Sequence, residues 1–138
     1  MGDRCRVYGM VEATGWDDFE RITGVYKNTE QDCLPELVEF EMDEANYALG
    51  NECARAAEAT LTFVLYNSAG DNYGKGMCIS MGDGVLHSAE LNECGWPMVP
   101  LQADHTVDLE ALALAVAASK AEEFVRSLHK DVEKEVQE

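Results

Sequence analysis

The stretch from Thr60 to Leu91 constrains the fold more than any other part of the sequence. It contains three short apolar runs, TLTFVLYN, MCISM and VLHSAEL, separated by the links SAGDNYGKG and GDG. Short apolar runs bounded by Gly, Asn and Asp are typical of strands joined by hairpin turns. The stretch therefore predicts a three-stranded antiparallel meander at the centre of the fold.

A strand and a short amphipathic helix are predicted at the beginning of the chain. Residues 5–13 have the mixed pattern of a first strand. Apolar residues then recur on one helical face at Trp16, Phe19 and Ile22, and Gly24 is suited to end the helix.

An acidic strand is predicted between residues 35 and 44. Its side chains alternate, with Val38, Phe40 and Met42 pointing one way and Glu39, Glu41 and Asp43 pointing the other. Alternation of this kind indicates a strand with one buried and one acidic face. A helix starting after Pro35 is the alternative, because Glu favours helices and Pro suits the first turn.

Two further helices are predicted to pack on the sheet. The first covers residues 43–58, with Asp43 as its N-cap and a break expected near Gly50. The second starts after the N-cap Thr106 and continues nearly to the end of the chain, with apolar residues at helical spacing. Its charged end, residues 130–138, is expected to fray.

The order of these elements predicts a single compact α+β domain over residues 1–138. We expect a single-layer antiparallel or mixed sheet of about five strands, covered on one face by the two main helices. The strand, helix and strand between residues 35 and 67 form a β-α-β succession, so a parallel pairing with a right-handed crossover is an alternative. Residues 25–33 and 92–104 lack periodicity and predict connections.

The net charge is the most informative feature of the composition. The chain has 27 Asp and Glu against 10 Lys and Arg, which gives a formal charge of −17. This charge disfavours direct binding to nucleic acid or an anionic membrane and favours a basic protein surface as partner. No apolar run approaches the roughly 18 residues of a membrane span. The five cysteines are odd in number and form no CxxC pair, which predicts free thiols and a cytoplasmic location.

The acidic side of the 35–44 strand is the leading candidate for a binding surface. Carboxylates two residues apart on a strand are separated by about 6.6 Å, the same order as phosphates, which rise by about 3.4 Å per nucleotide. The candidate contact residues are Glu36, Glu39, Glu41, Asp43 and Glu44. A plain solvated sheet face is the alternative for these residues.

This acidic face predicts a small non-enzymatic inhibitor, more specifically a nucleic-acid mimic that blocks a basic site on a nuclease or other nucleic-acid-handling protein. Small antagonists of host defence from phages or plasmids, such as antirestriction and anti-CRISPR proteins, use the same logic. The analogy is one of charge and size only.

The alternative function is a small ligand-binding protein or enzyme with a pocket between the sheet and the 92–104 loop. The candidate pocket residues are Tyr66, Tyr73, Cys78, His87 and Trp96. A third alternative is self-association through the Ala-rich C-terminal helix.

The hairpin turn decides whether Cys78 and His87 face each other. A turn at Asp83-Gly84 places Ser80 opposite His87, whereas a turn at Gly82-Asp83 places Cys78 there. Because Asp-Gly is the stronger turn signal, no thiol–imidazole pair is expected.

No motif in the sequence predicts catalysis, a metal or a cofactor. The loop Gly70–Gly76 is one residue short of a P-loop, lacks the Ser or Thr after its Lys and precedes a strand. The histidines and cysteines show no zinc-ligand spacing. We therefore expect a protein that is not an enzyme.

Overall fold

The computed structural model describes residues 4–27, 37–70 and 74–137, apart from the side chains of residues 46, 47 and 129–137. This part of the chain forms one seven-stranded antiparallel sheet with the order β2-β3-β1-β4-β5-β6-β7. The strands are β1 (Arg4–Glu12), β2 (Tyr26–Lys27), β3 (Leu37–Asn46), β4 (Thr62–Asn67), β5 (Gly76–Met81), β6 (Leu86–Leu91) and β7 (Pro97–Met98).

Three helices accompany the sheet. They are α1 (Trp16–Thr23), α2 (Gly50–Glu58) and α3 (Leu109–Gln137), and short 3₁₀ turns at Ala13–Gly15 and Tyr47–Leu49 precede the first two. In the described part of the chain no helix is both long enough and apolar enough to cross a membrane.

The predicted α+β fold with a central meander and a long C-terminal helix is confirmed. The sheet has seven strands rather than about five because β2 and β7 add two residues each at its edges. Both lie in segments that were expected to be connections. Strands this short carry no alternation that a sequence pattern can reveal.

The sheet separates the helices, which corrects the expectation that both main helices cover the same face. In β4, Phe63 and Leu65 belong to the core beneath α1 and α2, whereas Val64 belongs to the core beneath α3. Successive strand residues point to opposite faces, so a run of consecutive apolar residues requires cover on both sides. The apolar run TFVLY in β4 has this cover, with α1 and α2 on one side of the sheet and α3 on the other.

Aromatic packing dominates the core on the side of α1 and α2. Phe19 of α1 contacts Phe40 of β3 and Phe63 of β4, with ring centroids 4.8 Å and 5.0 Å apart. Helix α1 ends at Thr23 and is capped by Gly24, whose φ of 78° is left-handed and whose N–H donates to the Glu20 carbonyl. The predicted face and C-terminus of this helix are confirmed.

Small residues let α3 approach the other face closely. Ala118, Ala121 and Val125 are fully buried against a cluster that includes Met77 and Ile79 of β5. The helix starts later than predicted, because the Asp108 carboxylate, not Thr106, accepts the first free N–H groups, those of residues 110 and 111. The fraying expected for residues 130–138 stays a prediction, because residue 138 and the side chains of residues 130–137 lie outside the described part of the chain.

The strand predicted from residue 35 is confirmed over its described part and continues to Asn46, so Asp43 does not cap a helix. Helix α2 begins only at Gly50, after Ala48 and Leu49 take left-handed φ values of 54° and 58°. Strands β3 and β4 do not pair in parallel, because β1 lies between them and is antiparallel to both.

The β5–β6 hairpin has a register that neither predicted turn gives. Ile79 is opposite His87, and Cys78 is opposite Ser88. The loop contains the three residues Gly82–Gly84, and both of its glycines have φ near 90°. A three-residue loop shifts the pairing relative to either two-residue turn. Cys78 and His87 therefore point to opposite faces of the sheet.

Candidate protein-binding face

Four side chains form a row across the sheet on the side of α3. Register places Tyr26 of β2 beside Glu41 of β3, Glu41 beside Tyr8 of β1, and Tyr8 beside Tyr66 of β4. On this side helix α3 covers the strands from β4 to β6, and in the described part of the chain no helix covers the members of the row on β1 and β3. Tyr8 and Tyr26 are accordingly 42% and 45% exposed. We use the name tyrosine–acid face for this row together with four charged residues beside it, which are Arg6, Glu39, Asp43 and Glu44.

Arg6 brings a guanidinium onto this face. Its Nη2 donates to a carboxylate oxygen of Glu41 at 3.1 Å, its Nε lies 3.9 Å from Asp43, and its Cζ is 5.0 Å from the centre of the Tyr8 ring. A carboxylate and an aromatic ring are the two groups that best complement a guanidinium. The face thus contains a complete guanidinium subsite, occupied by its own arginine.

A β-bulge brings one more acidic side chain to this surface. Between the pairs Cys5–Ala45 and Val7–Met42, β3 has one more residue than β1. Strict alternation would point Glu44 toward the core, whereas in the structure it is exposed and its carboxylate lies 3.4 Å from Arg4. Bulges reorient side chains in this way. Asp43 and Glu44 are both on the open side as a result.

Tyr66, the tyrosine at the β4 end of the row, is tied to α3. The hydroxyl of Tyr66 donates to the Glu122 carboxylate at 2.6 Å. Burial, together with this hydrogen bond, raises the pKa of Tyr66 well above its ordinary value. At the sheet edge, partial desolvation and the charges of Asp43 and Glu41 raise the pKa of Tyr26. The row therefore presents neutral phenols among carboxylates at neutral pH.

The structure brings together most of the predicted acidic contact residues. Glu39, Glu41 and Asp43 lie on the open side of β3, and Glu44 joins them through the bulge. Glu36 lies outside the described residues. Three of these carboxylates, those of Glu41, Asp43 and Glu44, pair with arginines of the chain itself, so the acidic row is partly neutralised.

The residues of the predicted pocket are not brought together. Cys78 lies on the α2 side of the sheet, Tyr66 is in the tyrosine–acid face, and Trp96 is 70% exposed. Tyr73 lies outside the described residues. His87 lies on the α3 side, where its Nε2 is enclosed and has no hydrogen-bond partner among the described residues.

A separate cavity of about 680 Å³ lies at one end of β5. It is bounded by the neighbouring strand ends, the residues that follow β7 and the first part of α3. Its lining includes Asn67, Lys75, Cys78, Glu90, Met98, Pro100, Ala111 and Leu114. Cys78 is the single member of the predicted pocket set that lines it among the described residues.

Exposed apolar side chains are concentrated between residues 96 and 116. They are Trp96, Met98, Leu101, Val107, Leu109, Leu112, Leu114 and Val116. Exposed apolar side chains mark an interaction site where they form one contiguous patch.

The aromatic and cationic parts of the tyrosine–acid face were not predicted. Tyr8, Tyr26 and Arg6 lie on strands whose pairing with β3 brings them beside the acidic residues. The i, i+2 spacing of Arg6 and Tyr8 was the available signal, because it places both on one side of the first strand. Within the described ranges, no group of three or more His, Cys, Asp or Glu side chains is arranged to hold a metal ion.

No protein-family model, no curated protein and no solved structure matches the chain significantly.

Proposed function

We propose that the chain is a non-enzymatic, cytoplasmic protein-binding module that uses the tyrosine–acid face to engage a basic surface of another protein. The partner of best fit is a nuclease or other nucleic-acid-handling protein, whose basic site the chain would block as a nucleic-acid mimic. An inhibitor of this kind would act as a phage or plasmid antagonist of host defence.

The guanidinium subsite around Arg6 carries this proposal. Arg6 is held between the Glu41 carboxylate and the Tyr8 ring, in the arrangement that a partner's arginine requires. The Arg6 side chain is 52% exposed, and exposed ion pairs exchange partners readily because each is worth little in water. A partner's arginine can therefore replace Arg6 or dock beside it.

The adjoining surface extends this subsite. Asp43 and Glu44 are each 75% exposed and lie along β3 from Glu41. Tyrosines supply rigid apolar area with a polar tip, which is why they are enriched at protein interfaces. Three tyrosines in the row thus offer packing area beside the carboxylates.

The remaining charge acts at longer range. Exposed carboxylates also occur on the opposite side of the sheet, including Asp17 and Asp18 on α1 and Glu58 on α2. A net charge of −17 spread in this way accelerates encounter with any basic partner, and the acceleration falls as salt rises. Specific contacts are expected from the tyrosine–acid face alone.

Two charge-reversal variants with equal net charge test the proposal. The face variant carries Glu39→Lys, Glu41→Lys and Asp43→Lys, and the control carries Asp17→Lys, Asp18→Lys and Glu20→Lys on α1. Each variant and the parent chain are used to capture proteins from lysates of candidate hosts at low and high salt, with mass spectrometry and competition by DNA or RNA. Captured partners are then purified, and their binding kinetics are measured.

The proposal predicts that the parent chain captures a basic nucleic-acid-binding protein that nucleic acid and high salt displace. The face variant should lose this partner, whereas the control should bind it with slower association and similar dissociation. Equal losses in the two variants would show that net charge alone is responsible. Retention of the partner by the face variant would exclude this face.

The cavity at the end of β5 supports a second candidate function, the binding of a small ligand. Its volume of about 680 Å³ is within the range of small-molecule sites. Filling it by Ala111→Trp should abolish any melting-temperature shift caused by a metabolite. The substitution Ala113→Trp, at an exposed residue of the same helix that does not line the cavity, is the control.

The exposed apolar residues around the start of α3 are available for self-association. Sedimentation at several concentrations measures this directly. A change of Leu109 and Leu112 to Ser should abolish any dimer that forms through this surface.

A further inference from the structure

A glycine leaves a notch in a row of side chains at the end of β5. Register places Asn67 of β4 beside Gly76 of β5, and Gly76 beside Glu90 of β6. Residues directly opposite each other in antiparallel strands point to the same face of the sheet, here the side of α1 and α2, because Leu65 belongs to the core on that side. Gly76 contributes no side chain, which leaves a notch between Asn67 and Glu90. All three residues of the row line the cavity described above.

The amide of Asn67 turns its oxygen toward this notch. Its Nδ2 donates to the Ser68 carbonyl at 2.9 Å and to the Gly74 carbonyl at 3.2 Å. These two acceptors fix the orientation of the amide, because exchange of its nitrogen and oxygen would set three oxygens against one another. A Cβ atom on Gly76 would lie 3.0 Å from Oδ1 of Asn67. Asn67 therefore presents an acceptor to the notch, and both of its amide donors are already used.

The opposite side of the notch is an anion. The Glu90 side chain is exposed, and it forms no ion pair or hydrogen bond with another described residue. Lys75 is the one cation among the described residues that line the cavity. Its carbonyl accepts the N–H of Leu91, which belongs to the core beneath α3, and its Nζ donates to the Glu93 carbonyl at 3.3 Å. Lys75 thus points away from the notch, and the charge of Glu90 is not balanced there.

The dimensions of the notch fit a single ammonium group. Neighbouring strands are about 4.8 Å apart, so the backbones of Asn67 and Glu90, on either side of β5, are about 10 Å apart. N–H···O hydrogen bonds are about 2.9 Å long, so one nitrogen between the two side chains can bond to both. An alkylammonium has three donors and no acceptor, which matches an amide oxygen on one side and a carboxylate on the other. A quaternary ammonium has no donor and is bound by aromatic rings, which are absent from the described lining.

The rest of the cavity wall indicates what carries the ammonium. The volume of about 680 Å³ is far larger than one such group, and most other lining residues are apolar, among them Ala48, Met98, Val99 and Pro100. A hydrocarbon body gains free energy by burial against them. The net charge of −17 also concentrates small cations around the chain.

We propose that the cavity at the end of β5 binds a small primary alkylamine, with its ammonium group held in the notch between Asn67 and Glu90. The proposal rests on the second candidate function, ligand binding in this cavity, and names the chemical class of the ligand. The notch is separate from the tyrosine–acid face, which lies on the other side of the sheet.

Binding of a series of hexyl compounds, followed by amide NMR spectra of the isotope-labelled chain, tests the proposal. The probes are hexylamine, hexanol, hexanoate and hexyltrimethylammonium, which share a hydrocarbon chain and differ in the head group. Glu90→Gln removes the anion, and Glu123→Gln on α3 is its control with an equal change of charge. Gly76→Ala fills the notch, and Gly74→Ala is its control, because nothing lies within 4 Å of a Cβ atom there.

We expect hexylamine to shift the signals of Gly76, Glu90 and the Asn67 amide group saturably. The other probes should bind at least about tenfold more weakly, because each lacks the positive charge or the donors. Glu90→Gln and Gly76→Ala should weaken hexylamine binding by a similar factor, and the two controls should not. Equal binding of hexanol and hexylamine, shifts confined to residues outside the notch, or no shift with hexylamine would each overturn the proposal.

The same titrations separate this proposal from the function on which it rests. Binding of hexanol that Ala111→Trp abolishes, without stronger binding of hexylamine, would retain the cavity as a ligand site and overturn the amine assignment. Nα-acetyl-lysine methylamide presents the same ammonium on a peptide backbone. Tighter binding of this probe than of hexylamine would assign the notch to a lysine of another protein and would also overturn the proposal. The map of shifts comes from the parent chain, so the test does not depend on the folding of any variant.

Discussion

The ring of Tyr8 stacks on the ring of Tyr66, with centroids 5.5 Å apart and ring planes inclined by 28°. The two residues are directly opposite each other on β1 and β4. Since the Tyr66 hydroxyl also donates to Glu122, the stack connects the open strands to helix α3. Arg6 and Glu41 are arranged around this fixed pair, so the geometry of the tyrosine–acid face depends on it.

We predict that Tyr66→Phe lowers the free energy of unfolding by about 2 kcal/mol, because it removes a hydrogen bond to a charged acceptor. The phenylalanine ring preserves the stack on Tyr8. Chemical denaturation measures the change. The control Tyr26→Phe removes a hydroxyl at the exposed sheet edge and should change stability little. Equal effects of the two substitutions would contradict the role given to Glu122.

Tyr66 should also make stability depend on alkaline pH. Its folded-state pKa is raised above the ordinary 10.0, first by burial and then by the hydrogen bond to Glu122. The protonated form is therefore favoured in the folded state, and its contribution is complete below pH 10.0 and is lost as the pH rises further. Denaturation of the parent chain and of Tyr66→Phe on both sides of that pH isolates this residue. The parent should lose stability more steeply, and parallel curves would refute the assignment.

The sequence predicted the acidic half of the face and not its aromatic half. Alternation between Leu37 and Met42 is a local pattern, so Glu39 and Glu41 could be placed on the open side of a strand. The neighbours Tyr8 and Tyr26 depend on pairing between distant segments. Local patterns do not specify that pairing, and they do not reveal the extra residue that brings Glu44 to the face.

The positions of the helices show the same limit. The helical spacing of apolar residues predicted helix α3 itself. It did not predict which side of the sheet the helix covers, because that depends on how the strands are arranged. The consecutive apolar residues Phe63, Val64 and Leu65 indicate a strand covered on both faces. Together with that apolar run, the two main helices predicted from the sequence indicate one helix on each side of the sheet.

We predict that Arg6→Ala speeds association with a basic partner. Its removal leaves Glu41 and Asp43 without this internal cation and frees the Tyr8 ring for a partner's arginine. Stopped-flow binding at low salt measures the rate. The control Arg21→Ala changes net charge equally on α1, where Arg21 pairs with Asp18. If both variants accelerate association by the same factor, the subsite around Arg6 has no special part in binding.

Helix α3 offers a direct test of its N-cap. Asp108→Ala should lower the free energy of unfolding by about 1 kcal/mol, because the carboxylate accepts the N–H groups of Glu110 and Ala111. Thr106→Ala should cost less, since its hydroxyl donates to Gln102 and Asp104 in the preceding turn rather than capping the helix. The reverse order, measured by thermal or chemical denaturation, would favour the cap expected from the sequence.

Gly9 lies where strand β1 has no room for a side chain, and we predict that its replacement is strongly destabilising. A Cβ atom there would overlap the Val64 carbonyl oxygen and lie 3.0 Å from the Phe40 ring. The carbonyl belongs to the neighbouring strand and cannot move without breaking the β1–β4 pairing that holds Tyr8 against Tyr66. Gly9→Ala should therefore lower the free energy of unfolding by at least about 3 kcal/mol.

The matched control is Gly50→Ala at the start of α2, where nothing lies within 4 Å and the change should be below about 1 kcal/mol. Denaturation of both variants, with the tyrosine near-ultraviolet signal as a second probe, decides the point, because similar stabilities would mean that β1 and β4 are not packed as described.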